Sequence, residues 1–307
     1  MRAARMDGYG APPRLVDVKV PTPGHGEVLV RVHAAALNPL DLKLQTGVMD
    51  AFFPLSFPYT LGTDFAGVVE RVGPGAHRFR PGDRVVGRVD PTRGGAFADF
   101  VAIEDGQLAA VPPGVSWVDA AGVPTAGGTA WQALFEAAHL TAEQTLLVHG
   151  GAGGVGSLAI QLGRATGARV VATATGAGVE IARDLGADQV IDYANDSFTA
   201  SLSQVDVVLD TVGGDTQRRS FDVLRRSGVL VSTTSPPDEA RAQDLGVSAM
   251  FVFHSSDGPR LGKLMERLDA RSLRVLVDRA LPLSEVDRAL ARQASGEARG
   301  KIVLLLG

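Results

Sequence analysis

Residues 149–167, HGGAGGVGSLAIQLGRATG, decide how we expect the second half of the chain to fold. Gly151, Gly153 and Gly156 fit the spacing G-x-G-x-x-G. The apolar run TLLVHG before them predicts a strand, and residues from about 154 to 166 have helical periodicity. A strand, a glycine loop and a helix in this order are typical of a dinucleotide-binding βαβ unit. The alternative is a purely structural turn in an α/β domain.

Each residue of the loop has an expected role. Gly151 would permit a tight turn, and Gly153 would let a pyrophosphate approach the backbone. Gly156 would let the helix pack closely on the strand. The helix would begin at Gly154 and Val155, where unpaired N–H groups and the positive end of the helix dipole favour phosphate.

The next strand, RVVATA, bears on which nucleotide binds. NAD-specific sites place Asp or Glu near its end to bind the ribose 2′-hydroxyl. This chain has Ala174 and Thr175 there, so NADP(H) is predicted, with Thr175 as a donor to the 2′-phosphate. No Lys or Arg lies between Thr173 and Glu180, so a cationic clamp is not visible.

Two different patterns of apolar and turn residues along the chain predict two domains. Short Val-rich runs separated by Pro/Gly turns fill the first 120 residues and indicate a β-barrel or sandwich. Strands then alternate with helices, which is typical of a doubly wound parallel sheet. The last part of the chain predicts a strand in RVLVDRALPL, a helix around Ser284 to Ala294 and a strand in GKIVLLL. We therefore expect residues 1–120 and 270–307 to form one domain, with residues 121–269 inserted as the other.

Composition excludes several classes of site and partner. The 307 residues include no cysteine, so disulfides, thiol nucleophiles and thiolate zinc sites are excluded. The six histidines lack metal-ligand spacing, and no metal site is predicted. The net charge of −4 argues against nucleic acid, and no apolar run is long enough for a membrane span. A cytoplasmic protein is expected.

Motifs along the whole chain resemble the zinc-free quinone oxidoreductase branch of the medium-chain dehydrogenase/reductase superfamily. They are AALNPLDLKLQTG, PYTLGTDFAGVVERVG, FRPGDRVVG, AGGTAWQAL, HGGAGGVGSLAIQLGRATGARVVATA, DLGADQVIDY, VLDTVGG and GKIVLLL. The resemblance implies a GroES-like β-barrel catalytic domain and a Rossmann cofactor domain. It also implies NADPH as hydride donor, and a quinone or an α,β-unsaturated carbonyl compound (an enone) as acceptor.

The resemblance assigns candidate catalytic residues in the first domain. Asn38 stands where zinc-dependent relatives have a cysteine ligand. It matches an Asn that lies near the nicotinamide and its ribose in this family, so it is assigned to cofactor binding as well as catalysis, with a structural Asn-Pro turn as the alternative. Thr63 and Asp64 replace a His-Glu pair, and we interpret them as a polar remnant of the metal site. Tyr59 is assigned as a hydrogen-bond donor to a substrate carbonyl, with core packing as its alternative. Asp41 is expected to cap a helix.

The resemblance and the sheet pattern also assign cofactor-binding residues. Thr129 matches a Thr that approaches the nicotinamide, with a capping or packed hydroxyl on a helix as its alternative. Tyr193 matches a Tyr that borders the 2′-phosphate, with packing at a strand end as its alternative. Residues at the ends of sheet strands, where such sheets bind ligands, are expected to line the cofactor site. They are Thr211, Val212, Ser232, Phe251, Val252 and Phe253. The apolar strand around Phe251 also predicts a homodimer.

Two other functions stay open at this point. An enoyl-thioester reductase would use a similar frame but would need a basic groove, which Arg78, Arg80 and Arg93 do not clearly make. A non-catalytic NADPH-binding sensor or structural protein would share the cofactor site without turnover.

Overall fold

The computed structural model describes all 307 residues. The strands in chain order are β1 (Arg2–Met6), β2 (Arg14–Asp17), β3 (Glu27–Leu37), β4 (Tyr59–Thr60), β5 (Asp64–Val72), β6 (Arg84–Arg88), β7 (Phe100–Glu104), β8 (Leu108–Ala110), β9 (Thr145–Val148), β10 (Arg169–Ala174), β11 (Gln189–Asp192), β12 (Val205–Asp210), β13 (Leu224–Ser232), β14 (Ser248–Phe251), β15 (Val277–Pro282) and β16 (Lys301–Leu305). The α-helices are α1 (Pro39–Thr46), α2 (Trp117–Ala121), α3 (Pro124–Trp131), α4 (Gly154–Thr166), α5 (Ala177–Asp184), α6 (Phe198–Ser201), α7 (Gly214–Ser220), α8 (Glu239–Leu245), α9 (Gly258–Asp269) and α10 (Val286–Ala294). No helix combines the length and the apolar character that crossing a membrane requires.

The chain divides into two compact units. The first contains Met1–Thr125 and Ser256–Gly307, and the second contains Ala126–Ser255. The second junction therefore lies 14 residues before the predicted one at residue 270. The cause is α9, which packs on β8 of the first unit. An added Cβ at Gly258, where α9 begins, would lie 2.5 Å from the carbonyl oxygen of Gly106, so only glycine fits this contact.

The first unit is built on a largely antiparallel sheet with the order β15-β16-β3-β5-β6-β8, and β7 also pairs with β3. Antiparallel pairing sets four strand ends side by side, because Leu37 of β3 lies opposite Ile302 of β16, and Asp64 of β5 lies opposite both Ala36 and Arg88. The same register brings Lys301 across from Asn38, the residue after β3. One end of the sheet thus collects polar residues from distant parts of the sequence.

The second unit is a six-stranded parallel sheet with the order β11-β10-β9-β12-β13-β14. The chain moves outward in one direction from β9 and then in the other from β12, which is the doubly wound Rossmann arrangement. The glycine loop follows β9, beside the point where the strand order reverses. The predicted fold class, a GroES-like β domain with a Rossmann domain, is confirmed.

Some helix bounds differ from those predicted. The helix after the glycine loop spans Gly154–Thr166 as expected. Helical periodicity after VLDTVGG predicts a helix from about residue 217 to 226, but α7 spans Gly214–Ser220 instead. Its predicted second half lies in a 3₁₀ turn and in β13, because Leu224 already pairs with Val205 of β12.

Candidate functional site

The glycine loop after β9 has the backbone geometry of a tight turn, but the left-handed residue is not the one predicted. Gly150 has φ +69°, whereas Gly151 has no positive φ. Gly151 is required by packing instead, because an added Cβ would lie 2.9 Å from Cβ of Ala172. At Gly156 the Cβ would lie 2.2 Å from the carbonyl oxygen of Gly150. The predicted close approach at Gly156 is therefore present, but its partner is the loop itself.

The start of α4 offers free hydrogen-bond donors. Gly153 is its N-cap, and no side chain caps the helix. Gly154 and Val155 form the first turn, where N–H groups have no partner within the helix. An uncapped helix start beside glycine backbone fits a pyrophosphate, which would accept from these N–H groups. The residues present therefore fit a dinucleotide cofactor.

The imidazole of His149 links the glycine loop to neighbouring elements through hydrogen bonds. Ser220 Oγ donates to the carbonyl oxygen of Thr216 at 2.7 Å, so it must accept from His149 Nε2 at 3.0 Å. Nδ1 is then the acceptor, and Thr173 Oγ1 donates to it at 3.1 Å. Thr173 Oγ1 also accepts from the backbone N–H of Gly150. A neutral imidazole thus joins β9, β10, α7 and the glycine loop.

Acidification is expected to weaken this unit through His149. Burial lowers the pKa of His149 to about 4. Because the unfolded chain binds the proton at a higher pH than the folded chain, this stabilisation is complete above the unfolded pKa and is lost as pH falls from about 6.5 to about 4. The loss is about 3 kcal/mol at most.

Urea unfolding of the Trp117→Phe variant, followed by the remaining Trp131, measures the effect at pH 7 and at pH 4.5. In the His149→Gln variant this part of the pH dependence should disappear. If the His149→Gln variant showed the same difference in unfolding free energy between pH 7 and pH 4.5 as the protein with His149, the assignment would be contradicted.

Asp210, which sequence reasoning did not select, organises the ends of β12 and β13. Its buried carboxylate accepts from the N–H groups of Val212 and Gly213, and from Gln217 and Ser232. The predicted cofactor residue Ser232 is fully buried and gives its hydroxyl to this carboxylate, so the geometry does not present that hydroxyl to a ligand. The sequence pattern that could have identified Asp210 is a carboxylate at the end of an apolar strand, with Gly213-Gly214 shortly after it.

Other predicted cofactor residues differ in how they are presented. The hydroxyl of Thr211 donates to the carbonyl oxygen of His149 at 2.7 Å, so it closes the glycine loop and does not point outward. Val212 is exposed and Thr129 is buried in α3. Phe251 ends the edge strand β14, and its ring contacts that of Phe253 edge-to-face. The N–H of Val252, between them, donates to the carbonyl oxygen of Ser232.

An acidic residue that the sequence pattern did not reveal lies at the expected 2′-phosphate position. Asp192 ends β11, beside Ala174 of β10 in the parallel register. A hydrogen bond from the Thr175 side chain is the main reason that the pKa of Asp192 is lowered. The side chain of the predicted donor Thr175 therefore lies beside a negatively charged carboxylate. Tyr193, the next residue, is exposed.

Removal of the Asp192 charge is expected to strengthen NADPH binding. In Asp192→Asn the repulsion of a 2′-phosphate disappears while an amide still accepts from Thr175, so the Kd for NADPH should fall about fivefold. The Kd for NADH should stay within about twofold, since NADH carries no 2′-phosphate. Titration of nucleotide fluorescence measures both constants, with the exposed Asp196→Asn as the matched control. Equal changes for NADH and NADPH would show that the charge of Asp192 does not act on the 2′-position.

The polar end of the first unit's sheet contains the candidate catalytic residues. Asn38 is 2% exposed, and its Oδ1 accepts a hydrogen bond from Lys301 Nζ. Lys301 Nζ also donates to the carbonyl oxygen of Leu37 at 2.7 Å. The backbone N–H of Asn38 donates to Asp41 Oδ2 at 2.7 Å, so Asp41 caps α1 as expected. Burial raises the pKa of Asp41 to about 7 and lowers that of Lys301.

A second buried group adjoins these residues. Asp64 accepts from the N–H and the hydroxyl of Thr125 at 2.9 and 2.6 Å, and from Thr63 Oγ1 at 3.3 Å. Arg88 Nε donates to the same Thr125 hydroxyl at 3.0 Å. Tyr59 is buried and donates its hydroxyl to the carbonyl oxygen of Pro91 at 2.6 Å. This geometry does not support the predicted role of Tyr59 as a donor to substrate.

The donor set at this end does not fit a catalytic zinc ion. Asn38, Thr63 and Asp64 supply an amide, a hydroxyl and one carboxylate, whereas zinc in proteins prefers thiolate and imidazole with carboxylate as a further ligand. The oxygen of the Asn38 amide, the Thr63 hydroxyl and the Asp64 carboxylate are already used in hydrogen bonds within the protein. Nowhere in the chain do three or more His, Asp or Glu side chains form a group that can hold a metal ion.

Comparison with known proteins identifies the family. Residues 24–113 match the alcohol dehydrogenase GroES-like domain, and residues 185–304 match the family described as zinc-binding dehydrogenase. The chain is 33% identical to the chloroplastic quinone-oxidoreductase QR1 of Triphysaria versicolor, over 99% of this chain and 98% of the relative. It is 34% identical to the 2-methylene-furan-3-one reductase of Solanum lycopersicum, over 94% of this chain and 74% of the relative.

A solved structure has the same fold. The quinone oxidoreductase of Escherichia coli, complexed with NADPH, matches with a TM-score of 0.91 and 26% identity over all of both chains. Nucleotide binding in that protein agrees with the fit of a dinucleotide to the glycine loop of this chain. The chain is therefore an oxidoreductase of the quinone oxidoreductase branch of the medium-chain dehydrogenase/reductase superfamily.

Proposed function

We propose that this protein is a zinc-independent, NADPH-dependent oxidoreductase that reduces quinones or enones. The observation that carries the proposal is the buried amide Nδ2 of Asn38, a hydrogen-bond donor without a partner in a cluster that has no thiolate or imidazole. Such a donor can stabilise charge on an oxygen, but it supplies no Lewis acid. An acceptor that is already electrophilic needs no more than this.

The residues of the second unit would hold and orient the nucleotide. N–H groups of Gly154 and Val155 would bind the pyrophosphate, and the missing side chain of Gly153 would let it approach. When bound, NADPH supplies the hydride. Thr129, Tyr193, Val212 and the strand end at Phe251–Phe253 are proposed to position the two ends of the nucleotide.

In the first unit, Asn38 would act on the acceptor oxygen. Negative charge develops on a quinone or enone oxygen as hydride is added, and a preorganised donor shielded from water stabilises that charge. Thr63 is proposed only as part of the supporting cluster, since its hydroxyl already donates to Asp64. The names of the relatives support this substrate class: one is a quinone-oxidoreductase, and the other reduces a 2-methylene-furan-3-one.

One experiment tests the proposal. Oxidation of NADPH and of NADH is followed with a panel of quinones, enones and enoyl thioesters. We expect turnover with quinones or enones, and faster turnover with NADH than with NADPH would contradict the proposed use of NADPH. Preferred turnover of enoyl thioesters would instead establish the alternative reductase. Tight NADPH binding without turnover of any acceptor would establish a non-catalytic nucleotide-binding protein.

Assembly and location stay predictions. The strand β14 lies at the sheet edge with Phe251 and Phe253 partly exposed, which supports the proposed homodimer. The cytoplasmic location rests on the sequence alone, and one relative is chloroplastic.

A further inference from the structure

Lys301 is the one buried lysine of the chain, and the nearby buried carboxylates of Asp64 and Asp41 offset part of the cost of burying its charge. It is 4% exposed, and its two hydrogen bonds go to the carbonyl oxygen of Leu37 and to Asn38 Oδ1, neither of which is charged. Burying an ammonium group in a protein costs several kcal/mol, and an apolar residue of similar volume is often as stable or more stable. We therefore expect the charge of Lys301 to have a role other than stabilising the fold.

The ammonium group determines which way the amide of Asn38 faces. An ammonium group has only donors, so the amide oxygen must face Lys301 and the amide nitrogen must face away. Three hydrogen bonds then fix Asn38. Lys301 Nζ donates to the Asn38 side chain and to the carbonyl oxygen of Leu37, and the backbone N–H of Asn38 donates to Asp41. Pro39 follows directly and begins α1, so the backbone of Asn38 is held extended, with φ −128° and ψ 156°.

The fixed orientation leaves Nδ2 of Asn38 buried without a hydrogen-bond partner. Asp41 Oδ1 is likewise buried without a partner, and unpaired buried polar atoms of this kind call for a partner from a ligand or from water. The positive charge on the oxygen side polarises the amide and makes the N–H groups stronger donors. The arrangement suits an acceptor oxygen that gains negative charge.

We propose that Lys301 is a positioning residue, which holds Asn38 so that its Nδ2 donates to the carbonyl oxygen of the acceptor. This inference rests on the proposed function and identifies how the acceptor is polarised. Two-electron reduction of an enone adds hydride to the β-carbon and moves the C=C electron pair toward the carbonyl. The oxygen then carries the charge of an enolate, a proton from solvent completes the product, and the nucleotide is left oxidised. Asn38 stabilises the enolate oxygen, and Lys301 keeps the donor in place.

Two variants test the proposal. Lys301→Met keeps the length of the stem and removes the donor, so the amide is free to turn over, and kcat should fall about tenfold. Asn38→Asp replaces Nδ2 by oxygen, and kcat should fall about 100-fold, as for other lost donors to an oxyanion. In Lys301→Met the Kd for NADPH, measured by fluorescence, should stay within about twofold, which separates this role from a defect of the second unit. Lys19→Met, an exposed lysine, is the matched control.

A binding measurement that does not depend on turnover accompanies the kinetics. The probe is 4-nitrophenolate, whose anionic oxygen mimics an enolate and whose absorbance reports binding to the NADPH complex. Both variants should bind it at least about tenfold more weakly than the wild-type enzyme. Lys301→Arg, which keeps a cation, should recover part of the affinity and part of kcat.

The outcomes are distinguishable from failure of the proposed function, which the acceptor panel with wild-type enzyme decides first. Wild-type turnover together with unchanged kcat and unchanged phenolate binding in Lys301→Met would overturn the role of Lys301. If that variant does not fold, as judged by circular dichroism, Asn38→Asp carries the test. Unchanged kcat in a folded Asn38→Asp variant would overturn the proposal.

Discussion

The Gly156→Ala variant is expected to bind NADPH at least on the order of 100 times more weakly than the wild type. The added Cβ would lie 2.2 Å from the carbonyl oxygen of Gly150 and 3.0 Å from Cα of Gly151. Both atoms belong to the backbone, so no side chain can turn aside to relieve the overlap. The loop must move away from the start of α4, and the N–H groups that would bind the pyrophosphate lose their arrangement. A misplacement of about 1 Å at such a site is enough for an effect of this size.

Fluorescence titration with NADPH measures the change, and circular dichroism at the same temperature shows whether the sheet persists. Gly262→Ala is the matched control, because Gly262 lies in α9 with no other atom within 4 Å of the added Cβ. That control should bind like the wild type and gain slightly in helix stability. Wild-type affinity in Gly156→Ala would mean that nucleotide binding does not depend on this loop geometry.

The glycine loop shows how far the sequence determines a cofactor site. The motif contains strand, loop and helix within one short stretch, so its local pattern predicted the bounds of α4 and the parallel sheet. The motif does not specify the backbone dihedral angle of each glycine. The left-handed residue is Gly150, one residue before the predicted turn position, Gly151. Spacing alone cannot distinguish a glycine required for φ from one required for packing.

The residues that were missed lie beside the site only through tertiary pairing. Asp192 follows Thr175 by 17 positions, and parallel register, not proximity in sequence, places it at the end of β10. Lys301 is 263 residues from Asn38, and the run GKIVLLL predicted only a strand. The antiparallel pairing of β16 with β3 brings the two together, and no local pattern indicates which strand ends will meet. Charged residues at the first or last position of an apolar strand were the available signal.

The Asp64→Asn variant is expected to lower the free energy of unfolding of the first unit by about 3 kcal/mol. Asp64 is fully buried, and Arg88 is 4% exposed. The Thr125 hydroxyl connects them, since it accepts from Arg88 and donates to Asp64. Desolvation lowers the pKa of Arg88, and the charge of Asp64 is the largest influence opposing that shift. Without the carboxylate, a buried guanidinium group loses its main compensating charge, which is far more costly than losing an exposed ion pair.

The chain has one tryptophan in each unit, which makes this stability measurable. In a Trp131→Phe background, Trp117 fluorescence during urea unfolding reports the first unit alone. The exposed Asp7→Asn serves as the control and should change the free energy by less than about 0.5 kcal/mol. Adding Arg88→Met to Asp64→Asn removes both charges together, so the double variant should be more stable than Asp64→Asn alone. A double variant less stable than either single variant would show that the two charges do not compensate each other, and that the cluster is held together by its separate hydrogen bonds.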